Sequence, residues 1–230
     1  MIKFEKVEIW GFEHTVRGMR NPMNSWDKSD SISEIYVMPD NTVIKGCFKL
    51  GQADLNLMKK LVKAGTDHRK FLRQIMVSVD IIAPFYWWKE FDTYKVGTVA
   101  NSCSTMHKIH EKEFTLDDFS HEHLDIHAKR ILYNVIDALN GYRNWYVTYN
   151  PDVLEIKGCP SMKDIWWQMI QLLPSSYNQK RTVTLNYEVL ANIYKSRKDH
   201  KLDEWSVGFM NWIKSLPYSE LITGDLDEER

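Results

Sequence analysis

Short stretches that interleave apolar and charged residues alternate along this chain with longer stretches whose apolar positions recur at helical spacing. Ile2 to Trp10 is of the first kind and predicts a strand. "FEHTVRGMR" predicts a short helix ended by "NP", because the residue before a proline disfavours helical backbone. The polar "DKSDSISE" predicts a loop, and "EIYVM" and "TVIKG" on either side of "PDN" predict a hairpin. Leu55, Met58, Leu61 and Val62 mark one face of a helix over Ala53–Lys63, with Gly65 as its stop.

In "IMVSVDII", Val77, Val79 and Ile81 alternate with Ser78 and Asp80, which predicts a strand with a polar lining. Pro84 opens a helix through "FYWWKEFDTY". The stretch Lys89 to His107, "KEFDTYKVGTVANSCSTMH", has almost no aliphatic periodicity and is dense in hydroxyls, so it is either a surface loop or the lining of a site. "TLDD" predicts a capping box for a long helix bearing Leu124, Ala128, Ile131, Leu132, Val135 and Leu139. Further helices are expected over "SMKDIWWQMIQLL", from Asn186 to Ser196, and over "LDEWSVGFMNWIKSL", with "TVTL" as a short strand. These elements by themselves predict a mixed α/β (α+β) fold. One domain is expected over residues 1–222, with an acidic, frayed tail at 223–230.

Composition narrows the function classes. With 30 Lys+Arg against 31 Asp+Glu, the net charge of -1 supplies no overall attraction to nucleic acid. Three cysteines without a CxxC fit a reducing compartment rather than a disulfide framework. The start "MIKFEKVEIW" places charges where a signal peptide needs an apolar core, so a soluble cytoplasmic protein without membrane contact is expected. Nine Trp and eleven Tyr supply area for cores, interfaces or ring-binding walls; Trp87–Trp88 and Trp166–Trp167 are expected in a core or subunit interface. "HEHLDIH" spaces His123 and His127 as metal ligands can be spaced, but it lacks the HExxH pattern. Solvent-facing histidines on a helix are expected there, and no metal. Cys103 is a small half-buried side chain on this view, and neither a GxGxxG nor a P-loop is present.

Two long segments resemble the flavin-dependent thymidylate synthase family in the order and spacing of their motifs. The first is "LMKKLVKAGTDHRKFLRQIMVSVDIIAPFYWWKEFDTYKVGTVANSCSTMH"; the second is "LLPSSYNQKRTVTLNYEVLANIYKSRKDHKLDEW". The likeness spans roughly Leu50 to Trp212 and is one of layout, so the chain looks like a divergent member. It implies FAD as cofactor, with methylenetetrahydrofolate and NADPH as co-substrates, and reductive one-carbon transfer to C5 of a pyrimidine nucleotide, dUMP or a related one. It also implies an α/β (α+β) fold with a central, mostly antiparallel sheet flanked by helices, and a homotetramer with sites between subunits.

By the same resemblance, His68, Lys95, Asn186 and Asn192 fall on cofactor-binding positions. Arg197 falls on the arginine that meets the pyrimidine ring and is the expected catalytic group, while Glu90 and Ser104 fall on substrate positions. Asn186, Asn192 and Arg197 are six and then five residues apart, which on a helix confines them to about two-thirds of its circumference. The family's Arg-His-Arg signature aligns with Thr93, Tyr94 and Lys95, so only the third basic position survives, as lysine. A substrate-phosphate arginine is replaced by Ile170. The ring side is thus kept better than the phosphate side. A non-catalytic nucleotide-binding protein on the same scaffold, or an interaction protein whose aromatics form an oligomer interface, stays open beside the enzyme.

Overall fold

Strand β1 (Lys3–Trp10) opens the chain in the computed structural model, which describes residues 2–40, 43–150 and 160–226. After it come α1 (Phe12–Arg20), the hairpin β2 (Ile32–Val37) and β3 (Val43–Lys49), α2 (Gln52–Lys63) and β4 (Met76–Pro84). Then follow α3 (Phe85–Phe91), β5 (Val99–Ser102), α4 (Thr105–Lys108), α5 (Ile126–Val147) and α6 (Met162–Leu172). β6 (Asn178–Asn186), α7 (Tyr187–Arg197), α8 (Met210–Ser215) and α9 (Glu220–Thr223) complete the order. Four strands form one sheet in the order β1-β4-β6-β5, and β2 pairs antiparallel with β3 from Ile32↔Lys49 to Val37↔Val43. The mixed architecture of an antiparallel sheet flanked by helices is the one expected. Asn41 of the predicted hairpin turn, Cys159 and the last four residues of the predicted tail lie outside the described residues. No described helix is long and apolar enough to cross a membrane.

Two compact units divide the chain: Met1–Lys3 with Ile81–Thr93 and Asn101–Arg181, and Phe4–Asp80 with Tyr94–Ala100 and Thr182–Arg230. In the first, α5 and α6 bury Leu132, Ile136, Leu139 and Met169 around Phe114 and Phe119, with Ile170 packed against them. Ile170 is therefore a partly buried residue at the edge of this core. Trp87 and Trp88 are buried and meet edge to face at 4.9 Å, so this pair is core as expected. Trp88 donates its indole N–H to the Gln179 carbonyl at 3.0 Å.

In the second unit, Phe4 stacks on Trp212 with ring centroids 4.6 Å apart, and Trp205 and Phe209 close the cluster. Val77 and Val79 of β4 are fully buried, and the polar Asp80 beside them is satisfied by the Thr182 hydroxyl at 2.6 Å. Gly65, at φ +101°, stops α2 as its position predicts, because a left-handed residue there costs glycine little.

Four local expectations are corrected. "TLDD" is a true capping box, with the Thr115 and Asp118 side chains reciprocating, but it caps only the 3-10 turn Leu116–Asp118; α5 starts later, capped by Asp125 through Ala128 N–H. The later start leaves His123 before the helix, with only His127 on it, and no group of metal-ligating side chains occurs among the described residues. Helix α3 ends at Phe91, and the hydroxyl-rich stretch after it forms β5 at the end of the sheet order. Finally, the centre of the α2 buried face is Asp54 with Met58, because "DKSDSISE" folds onto it. Asp30 accepts the first N–H groups of α2, from Ala53 at 2.8 Å and Asp54 at 3.0 Å.

Candidate functional site

Helix α7 gathers three of the expected residues, and each is already held. Asn186 is its N-cap: the side-chain oxygen accepts from Val189 N–H at 3.0 Å, which is why the helix begins where it does. Two turns on, the Asn192 oxygen accepts from the Arg69 guanidinium at 3.2 Å. At the last turn, Arg197 donates through Nε to the Tyr94 hydroxyl at 2.9 Å. Its guanidinium also lies over two rings, 5.7 Å from the Tyr94 centroid and 5.3 Å from that of Trp205, within reach of cation–π attraction. Tyr94 is therefore the residue that fixes the Arg197 guanidinium.

The segment Tyr94–Ala100 approaches the start of α7 closely. Gly97 has φ +75°, and a Cβ there would meet Val189 Cγ2 at 3.1 Å and Asn186 Nδ2 at 3.2 Å, so only glycine lets the loop pass. Beside it, the Thr98 hydroxyl is buried with no hydrogen-bond partner among the described residues, and Lys95 is exposed on the same segment. A buried hydroxyl without a partner is uncommon and marks a place that a ligand or water can complete.

Sequence reasoning picked His68, but the neighbouring Arg69 is the residue that reaches α7. His68 is exposed and lines a cavity of about 610 Å³ with Met19, Leu57, Leu61 and Phe71. Arg69 pairs with Glu188 through Nε to Oε2 at 3.0 Å and donates through Nη2 to Oε1 at 3.1 Å, besides binding Asn192. Glu188 is only 9% exposed, so its carboxylate depends on the Arg69 charge, with one oxygen accepting from Nη2 and the other held by ion pairing. Arg69→Ala is expected to lower stability by about 2–3 kcal/mol, read as a reduced urea midpoint. A change within ~0.5 kcal/mol would mean that the pair contributes nothing.

Glu90 and Ser104 belong to the first unit. Ser104 caps α4, accepting from His107 N–H at 3.1 Å, and lines a cavity of about 490 Å³ with Lys3, Cys103, Lys180 and Tyr177. Lys108 and Lys112 also line it, paired with Glu111 and Asp118. Burial raises the Tyr177 phenol, keeping it a neutral donor. Cys103 is exposed rather than half-buried. Its main chain is fixed on both sides: its N–H donates to the Lys180 carbonyl at 3.0 Å, and its carbonyl accepts from Gln179 Nε2 at 2.9 Å.

Arg181 lies in no motif. It donates to Gln179 Oε1 at 2.9 Å and to Asp92 at 2.7 Å, and it lies 4.2 Å over the Trp88 ring. Spacing alone could not reveal it, because Asp92 and Trp88 lie far away in the chain. Glu90, on α3, receives Thr93 N–H and hydroxyl on its main-chain carbonyl.

The sheet and its flanking helices form a fold of the flavin-dependent thymidylate synthase type. Two solved structures from Helicobacter pylori share it. Flavin-dependent thymidylate synthase ThyX complexed with FAD and dUMP superposes with a TM-score of 0.62 at 13% identity, covering 97% of both chains. Thymidylate synthase X with FAD and dUMP, at 2.31 Å resolution, gives 0.62 at 14% identity over 99% of both chains. No protein-family model and no curated protein matches the chain.

Proposed function

We propose that this protein is a divergent flavin-dependent thymidylate synthase-like enzyme that binds FAD and a pyrimidine nucleotide, dUMP or a related one, and transfers a reduced one-carbon unit from folate to pyrimidine C5. The observation that carries this reading is Arg197, held between a tyrosine hydroxyl and two aromatic rings at the end of α7. A guanidinium fixed in that way loses little freedom when it meets a pyrimidine carbonyl, and it stabilises the anionic character that develops there.

The donor set suits a flavin ring edge. Asn186 and Asn192 commit their oxygens to Val189 and Arg69, which orients the two amide nitrogens as donors; the orphaned Thr98 hydroxyl adds a third polar group. Lys95 supplies a single point charge for an anionic group, in place of the two-point recognition a guanidinium gives. When bound, FAD supplies hydride chemistry, with NADPH as the source of electrons. In this reading Arg197 is the catalytic group at the pyrimidine, Ser104 and Glu90 face the substrate, and a homotetramer completes sites between subunits.

A second reading, a non-catalytic nucleotide-binding protein on the same scaffold, is favoured by one observation. Tyr94 stands in the middle of the family signature and holds Arg197. The two readings separate in one experiment: record the flavin absorbance of the purified protein, then add FAD with and without dUMP, and finally NADPH and methylenetetrahydrofolate. Bound flavin whose spectrum responds to dUMP, followed by flavin-dependent turnover, is expected for the enzyme. Nucleotide binding without flavin binding would select the second reading, and absence of both would remove the two together.

A further inference from the structure

A second cavity, of about 650 Å³, is lined by Met106, His107, His110, Tyr146, Met162, Lys163 and Trp166 of the first unit. That volume is within the roughly 300–1,000 Å³ of small-molecule sites. We propose that it binds a planar aromatic ligand bearing an anionic group, such as a heteroaromatic carboxylate or phosphate ester. None of the residues carried over by family resemblance lines it.

Aromatic residues on helices are usually core, but here the surroundings differ from a core. Met106 is 47% and Met162 41% exposed, so two soft, adaptable thioethers stand at the surface beside the Trp166 and Tyr146 rings. The polar edge of the Trp166 indole is already satisfied, donating to the Met106 carbonyl at 2.9 Å, so what it can offer a ligand is its π-surface. The His110 ring lies 4.7 Å from that of Tyr146, and its Nδ1 is buried with no hydrogen-bond partner among the described residues. A buried ring nitrogen in a wall of rings calls for a polar atom on whatever fills the cavity. Lys163 lines the cavity and no carboxylate does so among the described residues, so the local charge selects an anion. Rings and sulfurs set the planar body; Lys163 and His110 set its polarity.

The test uses the full chain with ¹³C-methyl-labelled methionine and two probes of one ring system, naphthalene-2-sulfonate and the neutral naphthalene-2-methanol. Neither FAD nor a nucleotide is present, so failure of the proposed enzyme function would not alter the result. The Met106 and Met162 methyl signals are expected to shift together on titration with the sulfonate. Its affinity should exceed that of the alcohol by at least about tenfold, the factor that one charge contact of ~1.4 kcal/mol provides. Lys163→Glu, a change at an exposed position, should erase that preference while leaving the alcohol's binding unchanged. His110→Phe should leave sulfonate binding within about threefold and weaken quinoline-6-sulfonate more, because only the latter carries a ring nitrogen. Equal affinity for the sulfonate and the alcohol, survival of the preference in Lys163→Glu, or methyl signals that stay still would each overturn the proposal.

Discussion

Replacing Asp54 by alanine is expected to destabilise the protein by about 3–5 kcal/mol, the range found when one partner of a buried ion pair is removed. For a chain of this size that corresponds to a fall of roughly 6–20 °C in Tm. Asp54 is fully buried and accepts four hydrogen bonds. Arg20 Nε reaches it at 2.6 Å, the Ser29 and Ser31 hydroxyls at 2.6 Å each, and Ser31 N–H at 3.1 Å. Arg20 is itself only 5% exposed, so alanine would leave a guanidinium and two hydroxyls without their acceptor. Ordinary domains are stable by about 5–15 kcal/mol, so the loss is a large fraction of the whole. The double variant Arg20→Met/Asp54→Leu should recover part of it, because burying neither charge removes the desolvation cost of both. Urea unfolding of the three proteins checks this; a single-variant loss below ~1 kcal/mol would refute the role.

The same carboxylate makes stability depend on pH. Burial alone would raise its pKa, but the hydrogen bonds from Ser29, Ser31 and Arg20, with the charge of Arg20, outweigh burial and lower it. A group depressed in the folded state binds fewer protons there than in the unfolded chain. Its contribution is therefore fully present above the unfolded carboxyl value of about 3.9, and it is lost as pH falls below that through the folded value. The stability gap between the natural protein and Asp54→Asn should accordingly narrow on acidification below pH ~4. A gap that is independent of pH would rule out this linkage.

The serine-rich loop that holds Asp54 shows where sequence reasoning stopped. "DKSDSISE" contains only polar and turn-forming residues apart from Ile32, so periodicity assigns it to a loop and nothing more. Its function appears only when Ser29, Asp30 and Ser31 meet α2 more than twenty positions later. Elements whose signal is local were legible: β4 from its valines, α6 from Ser161 and the apolar spacing after it, and α2 from its four apolar residues and Gly65. The α5 start was misplaced because "TLDD" is a sound capping box that happens to close a single turn. For the candidate site, the helix carrying Asn186, Asn192 and Arg197 was legible, whereas Arg69, Tyr94 and Trp205 were not. Arg69 and Tyr94 act through pairings across large sequence separations, 123 positions from Asn192 and 103 from Arg197, and Trp205 carries no motif of its own. A motif spacing does not encode such partners.

Arg197→Ala is expected to weaken nucleotide binding by one to two orders of magnitude while leaving the chain folded. The side chain is half-buried, and the hydrogen bond to Tyr94 and the two cation–π contacts are each individually modest, so truncation should cost about 1–2 kcal/mol of stability through them. For the ligand the consequence is larger. A charge-assisted hydrogen bond to a pyrimidine carbonyl contributes about 1.5–3 kcal/mol, and at 1.4 kcal/mol per decade its loss weakens binding by roughly 10- to 150-fold. Tyr94→Phe separates position from presence, since the guanidinium stays over two rings but loses the hydroxyl that fixes its angle. Its expected effect on dUMP affinity is smaller, about threefold to tenfold. Arg197→Lys keeps a cation but not the planar fork, and it should fall nearer to alanine than to the natural protein. Calorimetric titration of dUMP into each variant, with FAD present and circular dichroism confirming the fold, measures the series. Affinity in Arg197→Ala equal to that of the natural protein would take the pyrimidine away from α7, and the proposed enzyme with it.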